Sequence, residues 1–407
     1  FNLGYLPGLS AEQNLDEHRR FGKLIESLIA PGPLPKTDPT NAPRPLRLGY
    51  VSGDFNAHPV ANFMHPVLRS HDRGRFEVHC YHSLRNADHI TAELKRLAGH
   101  WHEVADIDDD ALAEQIRQDG IDILIDLSGH STGNRLPVFA RKPAPLQFTW
   151  LGYLGTTGLS RIDYRLCDSH TDPVGVAEHW HCERPARLPH SQWCYDQRIV
   201  KTGAPTPLPR LARGYWTFGS FNNYRKLNQS VFAAWAGVLA AIPGSRLRLY
   251  SFENAESGEL ALDALAAHGV ERNRLSWHLR TSPRGHFDSF ADVDVALDSF
   301  PYNGATTTCD ALLMGIPVLA VAGTRAIARG GVSLLRTVGL PDWIADSEQA
   351  LAAVAARQLA QPGQIAQLRA ELPQRMRASP LMDAAGFTRD LEAQYDAAWR
   401  RWCAGVR

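Results

Sequence analysis

From residue 46 onward, short apolar runs alternate with stretches of helical spacing, and this alternation limits the fold more than anything else in the chain. Apolar runs at 46–51, 76–81, 121–127 and 146–150 read as strands. Residues 89–99 and 109–119 between them carry helical periodicity and end at or just before glycine. Strands alternating with helices imply a parallel sheet covered on both faces. The pattern resumes with strands at 216–221, 246–251, 275–279, 293–298 and 316–321, and helices at 229–242 and 257–268. No G-x-G-x-x-G follows the first strand, which disfavours a standard dinucleotide oxidoreductase.

The unit at 293–321 is strand, loop, helix, strand. Asn303-Gly304 turns the chain and Ala305 to Thr308 opens a helix that Gly315 stops. The first amides of that helix have no intrahelical partner and carry the positive end of its dipole, a setting that binds phosphate. Thr306 and Thr307 add hydroxyl donors, while Asp310 would repel phosphate but accept from ribose hydroxyls. A sugar nucleotide suits that pairing. The plainer alternative is that the threonines cap the helix and Asp310 complements its dipole.

At 407 residues two domains are expected, with the stretch 197–214 as the bridge between them and a boundary near residue 205. Hydrophobic residues make up 44%, charged residues 21%, and no apolar run is long enough to span a bilayer. Basic and acidic residues balance at 43 each, so the global charge points to neither nucleic acid nor a membrane surface. Six dispersed cysteines without a C-x-x-C pair, and no secretory leader, fit a cytoplasmic setting. The chain starts at Phe1, which suggests a fragment or processed chain. Residues 14–30 read as an amphipathic helix, followed by a proline-rich linker, and 384–402 as a final helix.

Ligands in open α/β sheets bind at strand carboxyl ends, so polar loops there are candidates. The first strand runs into Ser52-Gly-Asp-Phe-Asn-Ala-His58-Pro59, the third into Ser128-Gly-His-Ser-Thr-Gly133, and 216–221 into Asn222-Asn223-Tyr-Arg-Lys226. His58 suits proton transfer because imidazole titrates near neutrality, although a histidine before proline also caps helices. Lys226 is one of six lysines among the 43 basic residues, against the alternative of a surface cation. The clusters His79-Cys80-Tyr81-His82 and His179-Trp-His181-Cys182 match no zinc spacing and read as structural or surface residues. Asp292-Val-Asp294 formally matches a metal-binding D-x-D but leads into a strand instead of ending one, and is rejected as a metal site.

The strings DSFPYNGATTTCDALLMGIPVL (298–319), RKPAPLQFTWLGYLGTTG (141–158) and GDFNAHP (53–59) together resemble the O-linked N-acetylglucosamine transferase and SPINDLY family, over about residues 46–400. The resemblance implies a glycosyltransferase B fold, two Rossmann-like α/β domains facing each other across a cleft. In that frame 1–45 is a helical linker from upstream tetratricopeptide repeats, and 46–205 is the N-terminal domain for acceptor and donor sugar. Residues 206–382 are the nucleotide-binding domain, and 383–407 form a helix packing back across both. The implied activity is inverting, metal-independent transfer of N-acetylglucosamine from UDP-GlcNAc to serine or threonine of a polypeptide, with no cofactor. By the same resemblance Lys226, Asn223, Thr306 and Thr307 meet the diphosphate, Asp310 the ribose, His286 the base, Gly155 the donor sugar, and His58 serves as general base. Departures stand at Leu154, where the family has proline, and at Pro283, Gly285 and Ser289 around His286, which leaves the base open. Relatives using GDP-fucose on proteins or UDP-glucose on asparagine are the alternatives. Outside transferases, a non-catalytic nucleotide- or protein-binding scaffold and a UDP-GlcNAc epimerase remain.

Overall fold

The structure is a computed structural model that describes residues 2–33, 44–196 and 206–405. Most of the proline-rich linker and the expected boundary near 205 lie outside the described residues. The chain forms two compact units. One comprises the described parts of Leu9–Asp196 and Asp383–Arg407, the other those of Asn2–Gly8 and Gln197–Met382.

Seven parallel strands make the sheet of the first unit: β1 (Leu46–Ser52), β2 (Phe76–His82), β3 (His100–Glu103), β4 (Ile123–Asp126), β5 (Leu146–Thr149), β6 (Tyr164–Asp168) and β7 (Arg184–Leu188). Their order is β3-β2-β1-β4-β5-β6-β7. The chain thus runs outward from β1 to the β3 edge, then returns to place β4 on the other side of β1. That reversal leaves a crevice at the carboxyl ends of β1 and β4, where no connection covers the sheet. β4 and β5 are buried along their length and β1 from Leu48 onward, as a sheet covered on both faces requires.

In the second unit six parallel strands follow the same plan: β8 (Thr217–Ser220), β9 (Arg246–Phe252), β10 (Leu275–Leu279), β11 (Val295–Leu297), β12 (Val318–Val321) and β13 (Ile344–Ala345). The order β10-β9-β8-β11-β12-β13 puts the reversal between β8 and β11. Covering helices start where polar side chains satisfy their first amides. Asn228 accepts from the Val231 amide to open Gln229–Ala241, and Asn254 from that of Ser257 to open Ala255–Ala267.

Three strands of the first unit depart from the sequence reading, as does the two-residue β13 of the second, which is too short to leave a pattern. β3 is polar (HWHE), while β6 and β7 carry arginines, so none shows an apolar run. In β6 the exception is explained by pairing: Arg165 and Asp172 form a fully buried ion pair, and His181 also bonds Asp172.

The helix Ala11–Leu28 starts with a capping box between Ser10 and Gln13 and belongs to the first unit. The final helix Ala384–Cys403 does too. Its Glu392 accepts from the Asp72 amide and bonds the His71 ring, both at 2.9 Å, its Tyr395 hydroxyl meets that of Tyr50, and its Phe387 stacks on Trp150. Among the described residues no helix is long and apolar enough to cross a membrane.

Candidate active site

At the reversal of the second sheet, Asp298 follows β11 directly and organises the loops. Its Oδ1 accepts from the amides of Gly304 (2.7 Å) and Ser299 (2.9 Å) and from the Asn222 side chain (3.1 Å). Burial raises its pKa to about 6, against the Gly304 amide, Lys226 and Asn222, which stabilise the charged form. The carboxylate therefore fixes the turn that delivers the helix Thr306–Leu313. Gly304 has no room for a side chain, since a Cβ there would lie 2.3 Å from the Thr307 hydroxyl.

Ala305 stands at the N-cap of that helix and no side chain caps it, so the threonines do not play the capping role. Thr308 bonds back to the Gly304 carbonyl, Thr307 donates to Asn222 Oδ1 at 3.2 Å, and Thr306 is partly exposed. With Phe221, Asn222 and Asp298, Thr307 and Thr308 line a small pocket.

Lys226 closes the short 3-10 turn Tyr224–Lys226 that follows β8. Its Nζ donates to the Asn303 carbonyl at 2.8 Å and sits 4.3 Å from the centre of the Tyr302 ring. Burial lowers its pKa to about 8, against the pull of Asp298. An ammonium held this way, half-dehydrated beside an uncapped helix start, gains most when an anion arrives. Tyr5 stacks on Tyr302 at 5.2 Å, so residues 2–8 contribute to this site, a role the linker reading did not anticipate.

His286, on the helix Pro283–Ser289, sets its Nε2 3.0 Å from Asp310 Oδ2 and packs edge-on against Phe221 and Phe290. Asp310 is thereby joined to His286 as well as standing in the helix. Asn223 is exposed, and its side chain accepts from the Arg225 amide at 2.9 Å. Asn222, its neighbour, is the buried one that ties Asp298 to Thr307. The carboxylates of Asp292 and Asp294 do not converge: Asp292 pairs with Arg213 and Arg248, and Asp294 accepts from the amides of Arg210 and Thr217.

His58 and Gly155 belong to the first unit. His58 is the N-cap of the helix Pro59–Ser70, and its Nδ1 accepts weakly from the Val60 amide at 3.3 Å, with Asp54 Oδ2 at 3.7 Å. Both neighbours address Nδ1. While Nδ1 accepts, the neutral ring carries its proton on Nε2; a proton moved to Nδ1 and turned toward Asp54 leaves Nε2 as the basic atom. Capping and proton acceptance are thus alternative tautomers of one side chain.

Gly155 is buried, and a Cβ there would lie 2.6 Å from the Tyr153 ring. Its loop is tied down by Glu183, whose carboxylate accepts from the hydroxyls of Thr156 and Thr157 and the Thr157 amide. Gly158, at φ +82°, faces the His18 carbonyl, and Gly22 faces Gly158 in turn, so the helix Ala11–Leu28 lies directly on the loop. His130 completes the packing. Its Nε2 meets the Thr157 carbonyl at 3.0 Å between the rings of His18, Phe21 and Tyr153, and burial with the neighbouring His18 pushes its pKa down to about 3.

Two doubly wound parallel sheets with polar loops at each reversal are the architecture of B-fold glycosyltransferases. A sucrose-phosphate synthase from Thermosynechococcus elongatus has that fold in common with the chain, with a TM-score of 0.54 at 12% identity over 87% of this chain and 99% of its own. The family model for glycosyl transferase family 41 matches residues 34–202 and 196–391, and the chain belongs to that family. It superposes on a mutant O-GlcNAc transferase from Thermobaculum terrenum with a TM-score of 0.90 and 34% identity, covering 100% of this chain and 77% of that one. It is 38% identical over 99% of its length to a rice protein (Oryza sativa subsp. japonica) named as the probable UDP-N-acetylglucosamine–peptide N-acetylglucosaminyltransferase SPINDLY. The chain spans 42–44% of the length of three such plant relatives.

Proposed function

We propose that this chain transfers N-acetylglucosamine from UDP-GlcNAc to serine and threonine hydroxyls of polypeptides, with inversion and without a catalytic metal ion. The observation that carries the reading is the placing of Lys226 and the uncapped start of Thr306–Leu313 around one turn, pinned by Asp298. Departing UDP gains negative charge, and fixed amides, hydroxyls and an ammonium stabilise it without reorganising. Lys226 and the helix amides supply the positive charge that a cation supplies elsewhere, while Asp292 and Asp294 are occupied by arginines and amides. Asp310 and His286 are assigned to the ribose and base, Asn223 to the phosphates and Gly155 to the sugar. The acceptor hydroxyl must lose a proton, and His58 is assigned to take it through Nε2. The names borne by the plant and bacterial relatives favour UDP-GlcNAc as donor and a polypeptide as acceptor.

Calorimetric titration with UDP, GDP and UDP-GlcNAc in EDTA tests the donor. Selective UDP binding that weakens in Lys226→Ala is the expected result. Preference for GDP would replace the donor with a GDP-sugar, and no binding at all would leave a scaffold. Transfer to a peptide acceptor then separates a transferase from an enzyme that only releases sugar. His58→Ala should lower the rate about 10²-fold and remove the acid limb of the pH profile; an unchanged profile rules out His58 as the base.

A further inference from the structure

At the outer edge of the first sheet, β2 and β3 place histidines in register. Parallel pairing sets His79 beside His100 and Tyr81 beside His102, so the alternation of each strand puts all four rings on one face. The rings of His79 and His100 stack at 4.2 Å and those of Tyr81 and His102 at 4.6 Å. Asp119, just past the helix Asp109–Gln118, adds a carboxylate from above. His79 Nδ1 lies 3.2 Å from His102 Nε2, which lies 3.7 Å from Asp119 Oδ2, and the three residues each bring a ligand atom within 4.8 Å of the others. Donor atoms about 2.0–2.1 Å from a tetrahedral zinc ion stand roughly 3.3 Å apart, so a small closing rotation of the carboxylate completes the set.

We propose that His79, His102 and Asp119 bind one divalent transition-metal ion, zinc being the best match to two imidazoles and a carboxylate, and that the ion clamps the β3 edge of the first sheet. Each histidine is already oriented through its other ring nitrogen, and Asp119 through a hydroxyl bond to the same oxygen, Oδ2, that faces His102. His79 Nε2 meets Glu77 Oε1 at 3.2 Å, the Gln115 side chain meets His102 Nδ1 at 3.0 Å, and the Tyr81 hydroxyl donates to Asp119 at 2.7 Å. With Glu77 holding the proton on His79 Nε2, Nδ1 is left as an acceptor, and His102 Nε2–H is the donor across the 3.2 Å gap. The metal ion takes the place of that proton on Nε2, the proton moves to His102 Nδ1 as the neutral ring changes tautomer with no net release, and the Gln115 amide turns to present its oxygen to the new Nδ1–H. His79 is buried, whereas His102 and Asp119 remain partly exposed, so water reaches the fourth position and the ion has a way in. His82 and Trp101 point to the opposite face, toward Phe55 in the loop of His58. The ion therefore touches none of the residues assigned to transfer.

The sequence hid this set because its members lie 23 and 17 residues apart on three elements, whereas the adjacent His79-Cys80-Tyr81-His82 invited a local reading. The test is calorimetric titration of the metal-stripped, untagged 407-residue chain with zinc chloride, alongside His102→Ala and Asp119→Asn. One zinc per chain is expected, with affinity at least tenfold weaker in either variant, and zinc should raise the thermal midpoint of the parent but not of His102→Ala. X-ray absorption should report two imidazole nitrogens. Far-ultraviolet circular dichroism of the metal-free variants verifies that they fold, and His102→Gln provides a second, less disruptive change if His102→Ala does not. Failure of the parent to bind stoichiometrically, or parent-like affinity in folded His102 and Asp119 variants, overturns the proposal.

Discussion

In the second unit, an ammonium, a carboxylate and a row of hydroxyls surround one turn, and their hydrogen bonds leave an uncapped helix start beside a lysine. In the strand-end loops of the first unit, glycines meet backbone and rings, a histidine is buried in a form that resists protonation, and Glu183 locks the loop after β5. Charge shapes one region and close approach shapes the other. The lesson is that two sheets wound the same way can build their strand ends by different means, one from charges and hydrogen-bond donors and the other from close packing.

Substitutions that remove charge without touching packing should separate the two. Lys226→Ala is expected to cut transfer by about 10²–10³-fold while leaving the urea midpoint close to the parent's; a large loss of stability instead would make Lys226 a packing element. The converse is Gly158→Ala, which forces a Cβ into left-handed backbone 1.9 Å from the His18 carbonyl. It should destabilise the first unit by about 3 kcal/mol in urea unfolding with UDP affinity preserved.

Asp310→Ala should weaken UDP about tenfold through loss of the ribose contact and of the bond to His286, measured by calorimetry. Unchanged affinity would return Asp310 to a purely helical role. A finer distinction comes from pH. Since Lys226 loses its proton near pH 8 in the free chain, kcat/KM should fall above that point, and Lys226→Arg should shift the limb upward if any activity remains. Stability moves the other way: between about 8 and the ordinary lysine value of 10.5 the unfolded chain holds the extra proton, so this group's contribution favours the folded state increasingly as pH rises. The first unit should show no such limb from His130, whose proton is lost near pH 3. The smallest expected effect is that of EDTA on the initial transfer rate, which should be unchanged even where removal of zinc from the β3 edge lowers the thermal midpoint.

The sequence was most legible where local rules and tertiary structure agree. The strand, turn and helix around Asp298 and Thr306 could be read from an apolar run, Asn303-Gly304 and the threonines, because each piece is encoded within a few residues. Lys226 stood out because lysine is scarce in this chain. Asn222 and Asn223 could not be told apart in the same way: which of two adjacent asparagines turns inward depends on Asp298, 76 residues away. Tyr5, Gly22 and Glu183 gave no signal either, since their partners Tyr302, Gly158 and Thr157 come from distant parts of the chain. β6 was hidden by Arg165, a residue that enters a core only when Asp172 comes with it.

The contacts of the first 28 residues have a practical meaning for anyone dividing this protein into parts. A cut at residue 46, where the regular alternation begins, would look natural, yet it would strip Tyr5 from Tyr302 and uncover the loop on which Gly22 rests. The stretch that looks like a tether is therefore part of the foundation at both sites, well ahead of the first strand.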